Sequence, residues 1–343
     1  MPMRAKGPAL LSATLVASLI ALGMASLAER SAAAAESVPV TLEGHIAAAT
    51  KAAGLDLWGI LTLCLPREPG GTPRPADDRA PPMKVFDNLY YLGMKSVSAW
   101  ALTTSDGIIL IDTLNNPTEA ETFIEGGVRQ LGLDPTQIKY IVITHGHADH
   151  YGGAQYLADK YKAELVMSEA DWTFLEGPEA RPARPDRGPI PKRGRAVKDG
   201  DRLTLGDTAI ELYVTPPHTP GTLSLIFPLK DGAMSHVGGL WGGTAFNFEP
   251  NIENFTTYAT SAERFARIAA EKGVDVPLSN HPSYDDALIK MAALKSRTPD
   301  KHPFATGAMT MSRYMTVAGQ CARARARALV EPRPADDPSG LLK

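Results

Sequence analysis

Apolar positions along the chain change their spacing repeatedly, and each change marks an element. Short apolar and β-branched runs fill residues 84–93, 96–103 and 108–112, with Asp106-Gly107 ahead of the third. That pattern predicts paired strands, a hairpin turn and a buried strand. Residues 117–132 begin on Pro117, end on Gly132 and carry apolar residues at helical spacing, which predicts a helix. The β-branched run 138–144 predicts a central strand, followed by a helix at 154–162 and a strand at 164–167. Strands are expected again at 202–205, 208–214, 223–229, 235–240 and 276–279. Helices are expected at 255–272, 285–294 and 309–330. Alternating strands and helices of this kind predict an α/β fold. Two stretches interrupt it. Residues 66–82 are rich in Pro and Gly and read as a surface linker, and 177–200 read as a solvated, exposed loop.

The N-terminus has a different texture. Arg4 and Lys6 precede an apolar run over 9–28, and Ala33, Ala34 and Ala35 offer a cleavage site before Glu36. This is the layout of a secretory signal over residues 1–35. The alternative is an uncleaved anchor, since the run is long enough to span a bilayer. Residues 36–83 then form an irregular extension with a short helical pattern at 45–55, residues 84–330 the main domain, and 331–343 a disordered tail. The expected location is the periplasm or the exterior, with no stable membrane insertion once the signal is removed. In that oxidising compartment Cys64 and Cys321 can pair, although spacing alone does not show that they meet.

Composition narrows the partners. With 44% hydrophobic and 21% charged residues the chain is globular, and 35 basic against 38 acidic residues give a charge of −3. So even a balance lacks the footprint of a nucleic-acid binder, which leaves a small-molecule substrate as the expected partner. Two cysteines cannot build a thiolate zinc site, but eight histidines suffice if they cluster.

They do cluster. Residues 144–153 read T-H-G-H-A-D-H-Y-G-G, which puts His145, His147, Asp149 and His150 directly after a predicted strand. In an extended stretch His145 and His147 point to one side, while Asp149 and His150 lie in a following turn that aims elsewhere, an arrangement suited to two adjacent metals. His218, in T-P-P-H-T-P-G-T, and His281, in S-N-H-P-S, also follow predicted strands. The carboxyl ends of strands in an open α/β sheet converge on one site, so these remote segments are expected to share one edge. His45, His236 and His302 lack that setting.

These residues resemble the metallo-β-lactamase superfamily, over about residues 84–294. The resemblance implies an αββα four-layer sandwich with a dinuclear site between its sheets. It places His145, His147 and His218 on one zinc ion and Asp149, His150 and His281 on a second, giving two zinc ions per chain. Many superfamily hydrolases put an aspartate, and the commonest lactamase subclass a cysteine, on the strand between the last two histidines. Residues 236–248 contain neither. The pattern is therefore most similar to the third subclass of class B β-lactamases. The activity implied is opening of a β-lactam amide by a zinc-bridging hydroxide that Asp149, the expected catalytic residue, orients. Other cyclic amides, lactones or esters are the alternative substrates, and an iron-dependent oxidoreductase is a more remote one. The family's substrate-carboxylate contacts map here to Thr244 and Asn247, with Ser283 and Tyr284 as further candidates. Trp172 and Trp241 are read as cleft-lining or core residues, Gly152 and Gly153 as permitting a tight turn, and Pro217 as standing where the family usually has Gly.

Overall fold

The computed structural model describes residue 1 and residues 41–65, 75–178 and 186–331. Apart from residue 1, the expected signal lies outside the described residues, as does nearly all of the expected tail. Twelve strands form two sheets among the described residues. The first sheet runs in chain order: β1 (Met83–Lys84), β2 (Leu89–Tyr91), β3 (Trp100–Thr104), β4 (Gly107–Ile111), β5 (Ile138–Val142), β6 (Glu164–Ser168) and β7 (Arg195–Val197). It is antiparallel up to β4 and parallel from β4 to β7. The second sheet has the order β12 (Val276–Ser279), β11 (Met234–Trp241), β10 (Leu223–Asp231), β9 (Thr208–Val214) and β8 (Arg202–Leu205).

Strand alternation sorts the apolar side chains into layers. In β4, Ile109 and Ile111 face a central core, where they meet Leu223, Leu225, Phe227 and Leu240 of the other sheet. Ile108 and Leu110 face outward, against Ile124, Val128, Leu157 and Trp172 of the helical segments. On the far side Ile226 and Trp241 face Phe255, Tyr258, Phe265, Tyr314 and Met315. The result is helix, sheet, sheet, helix: the αββα sandwich. One helical layer contains α2 (Ala148–Tyr151), α3 (Ala154–Tyr161) and α4 (Glu169–Glu176). The other contains α1 (Leu42–Ala53), α5 (Ile252–Glu271) and α8 (Ala308–Ala328), and the turn α6 (Pro282–Asp285) leads into α7 (Ala287–Leu294).

Three departures from the sequence reading have local causes. The run 84–93 breaks between β1 and β2 because Asp87 and Asn88 turn outward to the second sheet: Asp87 N donates to Lys230 O (2.8 Å) and Asn88 Nδ2 to Pro228 O (3.1 Å). The loop expected over 177–200 contains β7, which adds a parallel edge to β6. The extension is less irregular than expected. Helix α1 packs on α8, where Arg313 of α8 donates to Ala52 O and Ala53 O, and Cys64 is bonded to Cys321. No helix among the described residues is long and apolar enough to cross a membrane.

Candidate metal centre

All six expected ligands gather at one edge of the sandwich. The chain leaves β5 and continues through Ile143, which donates to Val166 O, and Thr144, whose carbonyl accepts from Leu223 N of the other sheet (2.7 Å). The end of β5 is thereby tied between both sheets before His145 begins. His147 caps α2, and the carbonyl of His150 accepts from both Thr113 N (2.7 Å) and Thr113 Oγ1 (2.8 Å). Gly152 has an ordinary helical φ of −60°. It is glycine because a methyl there would overlap the Asn115 carbonyl, so the constraint is close approach to the 113–116 segment rather than the tight turn expected.

The first group is His145, His147 and His218. His218 Nε2 lies 3.0 Å from both His145 Nε2 and His147 Nδ1. Its other nitrogen, Nδ1, donates to Ala245 O at 2.5 Å, so the proton sits there and Nε2 presents a lone pair. The Pro216–Pro217 bond ahead of it is cis. Two imidazole nitrogens on one tetrahedral ion at about 2.0–2.1 Å stand roughly 3.3 Å apart, close to the spacing here.

The second group is Asp149, His150 and His281. Asp149 Oδ2 lies 3.5 Å from His150 Nε2 and 3.9 Å from His281 Nε2. Again the outer nitrogens have acceptors: His150 Nδ1 donates to Asp112 Oδ2 (2.8 Å) and His281 Nδ1 to Ser96 O (2.8 Å). The inner nitrogen of His150 is buried with no hydrogen-bond partner, a cost of about 1–3 kcal/mol in a neutral site that a ligated cation would remove. In each group the ligand atoms lie within 4.8 Å of one another. The rings of His145 and His150 are 4.1 Å apart, so the groups are neighbours. Imidazoles and a carboxylate, with the outer nitrogens of His218, His150 and His281 anchored, fit a divalent metal.

Comparison with known proteins agrees with this geometry. Residues 92–235 match the family model described as the metallo-beta-lactamase superfamily. The chain carries a domain of that superfamily. Among solved structures it is similar to BJP-1, a subclass B3 metallo-β-lactamase of Bradyrhizobium japonicum, with 28% identity and a TM-score of 0.56 over 70% of this chain and 91% of that one. Among curated proteins it is similar to a probable metallo-hydrolase, YybB, of Bacillus subtilis, at 27% identity over 47% of this chain and 69% of that protein. It is also similar to a hydroxyacylglutathione hydrolase of Mesorhizobium japonicum, at 33% identity, but over only 36% of this chain and 40% of that protein. Fold, family and donor groups together make the protein a metal-dependent hydrolase of the metallo-β-lactamase superfamily.

The two groups of this superfamily site differ in charge. Burial, reinforced by neighbouring imidazoles, holds His145 well below its usual range, and burial pushes His218 down to about 3. Burial also lowers His281. His150 goes the other way: burial opposes its charge, but Asp112 and Asp149 outweigh it and raise the imidazole to about 9. Burial likewise works against Asp149, yet His150, His281 and His147 keep its carboxyl well below the usual carboxylate range.

Three supporting residues escaped the sequence reading. Asp112, at the end of β4, binds His150 and also accepts from Thr144 N and Thr144 Oγ1, both at 2.8 Å. Its signal was a lone carboxylate closing an apolar strand run. Asn280 spans the site, with Nδ2 3.2 Å from Thr144 Oγ1, 3.3 Å from His145 Nδ1 and bonded to Gly242 O. Asp171 of α4 accepts from Gly146 N (2.8 Å), Gly221 N (2.7 Å) and Thr219 Oγ1 (2.6 Å), clamping the loops that carry His145, His147 and His218. Burial raises its carboxyl to about 6.

Of the expected substrate contacts, Thr244 is turned inward. It is fully buried, with its hydroxyl 2.9 Å from Ser279 Oγ, and supports the strand end instead. Asn247 and Tyr284 are half-buried and Ser283 is exposed. The Tyr284 ring stands 6.2 Å from that of His281. Trp172 and Trp241 belong to the core. The remaining histidines lie elsewhere: His45 on Gln320, His236 on Asp275, and His302 stacked on Phe86.

Proposed function

We propose that the protein is a secreted hydrolase holding two zinc ions, which opens the amide of β-lactam rings. The observation that carries this reading is the second donor group. Asp149, His150 and His281 converge without any carboxylate or thiol from β11 or from residues 242–248, which contain neither Asp nor Cys. The likeness to a subclass B3 enzyme over 91% of its length supports the same substrate class. The Cys64–Cys321 bond and the signal-like leader support export to an oxidising compartment.

Zinc at these groups supplies an activated water and polarisation of the scissile carbonyl. The chain's own part is positioning. Ala245 O, Asp112 and Ser96 O hold His218, His150 and His281 with their inner nitrogens bare. Asp149 is the one anionic member of either group. Its oxygens accept a proton in a hydrogen bond and so orient the attacking water toward the carbonyl. Asn247, Ser283 and Tyr284 lie on segments adjoining His218 and His281 and are assigned to the substrate's polar substituents.

The second reading is thioester or ester hydrolysis, favoured by the 33% identity to hydroxyacylglutathione hydrolase over part of the chain. One assay separates the two. The purified protein, with its metal measured, is given a chromogenic cephalosporin, a carbapenem and an acylglutathione thioester, each with and without chelator. Chelator-sensitive lactam turnover with about two zinc ions per chain is the expected result. A zinc-loaded protein that cleaves only the thioester overturns the lactam assignment.

A further inference from the structure

The Pro/Gly-rich stretch 66–82 read as a linker, and its visible end does more than connect. Residues 77–79 lie against the 94–98 loop between β2 and β3. Lys95 N donates to Asp78 O (2.8 Å), Arg79 bridges Met94, and Lys95 Nζ reaches Asp77 O (2.9 Å). At the centre is a buried carboxylate: Asp78 Oδ2 accepts from Ser96 Oγ at 2.5 Å.

That loop in turn grips the end of β12. Ser98 N donates to Asn280 O (2.9 Å), and Ser96 O accepts from His281 Nδ1 (2.8 Å). Ser96 therefore faces two ways, its hydroxyl to Asp78 and its carbonyl to His281. The carbonyl fixes both the ring orientation of His281 and which nitrogen keeps the proton. The loop is a tight turn, with Met94 N bonded to Val97 O and Tyr91 OH to Met94 O, so a shift of Ser96 moves that carbonyl directly.

We propose that Asp78 is a positioning residue for the Asp149–His150–His281 group, acting through Ser96 on His281. The proposal rests on the two-metal reading above. It assigns a function in the site to a segment outside the superfamily match, which begins at residue 92.

Zinc titration of the metal-free protein against a chromophoric chelator tests it without any substrate. Asp78→Ala should weaken one of the two equivalents about tenfold and leave the other within about twofold. Asp78→Asn should restore most of the loss, because a carboxamide oxygen still accepts from Ser96. Ser96→Ala is the milder variant if Asp78→Ala folds poorly. It should reproduce the selective loss, and the double variant should be no worse than either single one. Asn88→Ala is the control, since it cuts a comparable cross-link, Asn88 to Pro228 and Lys230, away from the ligands. It should lower stability and leave both equivalents intact. If wild type loads two zinc ions and Asp78→Ala and Ser96→Ala load both with wild-type affinity, the proposal is overturned. It is equally overturned if Asn88→Ala shows the same selective loss. A wild type that binds no second equivalent overturns the two-metal reading itself, and this proposal with it.

Discussion

The two donor groups sit side by side, yet they are built on opposite electrostatic plans. In the His145–His147–His218 group, burial keeps at least two imidazoles neutral, and the anchors are a backbone carbonyl and the hydroxyl and amide around His145. In the Asp149–His150–His281 group, two carboxylates press on one imidazole, and His150 rises to about 9. Neutral nitrogens are open to a cation across the physiological range, whereas a protonated His150 must lose its proton first. On the two-metal reading proposed above, the first group should therefore take up metal at lower pH than the second, where protons compete for His150.

Asp149→Asn breaks the comparison most severely, because it removes the only anion inside either group. Turnover of the accepted substrate should fall about 100-fold or more, with loss of the second metal equivalent and retention of the first. Steady-state rates and metal analysis on one preparation check this. Full zinc with full turnover would sink the role given to Asp149.

Asp112→Asn comes next. It keeps an acceptor for His150 Nδ1 only by turning its N–H toward the Thr144 N donor, and it removes the larger of the two charges that raise the ring. The second equivalent should weaken about 10- to 100-fold, as outer-layer carboxylates beside ligating histidines generally do on replacement. The pH profile carries the finer information. In wild type the second equivalent should tighten with rising pH until about 9, because binding releases the His150 proton. In the variant that rise should end nearer 6.5, the ordinary imidazole value. Chelated wild type has the opposite trend: a folded value raised above the unfolded one stabilises fully below 6.5 and is lost as pH rises through 9. Zinc titrations and thermal melts across that window would show whether Asp112 sets the difference between the groups. Identical profiles in wild type and variant would remove it.

How far the site could be read in advance follows the same division. Ligands announce themselves: H-G-H-A-D-H after a β-branched run, and His218 and His281 after further strands, needed only strand-end placement to be brought together. The layers came from the family resemblance alone: Ile108 to Ile111 are apolar on both faces, and only the structure puts Ile109 and Ile111 on the central core and Ile108 and Leu110 on the helical side. The supporting groups were not legible. Asp171 lies in a helix start that looks like any capped helix, and Ser96 acts through its carbonyl, which every residue has. Thr244 illustrates the converse, since a hydroxyl near a site says nothing of which way it points, and here it points at Ser279. The edge strand β7 was hidden in a Pro- and Arg-rich stretch, because three residues on a sheet margin need little apolar content.

The smallest effect belongs to the first group's clamp. Asp171 takes Gly221 N on one oxygen and Gly146 N and Thr219 Oγ1 on the other, so asparagine can satisfy only one side and would turn an N–H toward a backbone donor on the other. The expected cost is about 1–3 kcal/mol, a melting temperature lower by a few degrees, and a few-fold weaker first equivalent with the second unchanged. Its pH dependence has a definite sign. Burial raises the carboxyl from 3.8 to about 6, so the wild-type group favours folding most below 3.8 and loses that contribution as pH climbs through 6. The stability gap between wild type and Asp171→Asn should therefore be wider at acid pH than at neutrality. A gap that widens toward neutral pH would mean that the folded site favours the ionised carboxylate, and the first group would then rest on charge as the second does.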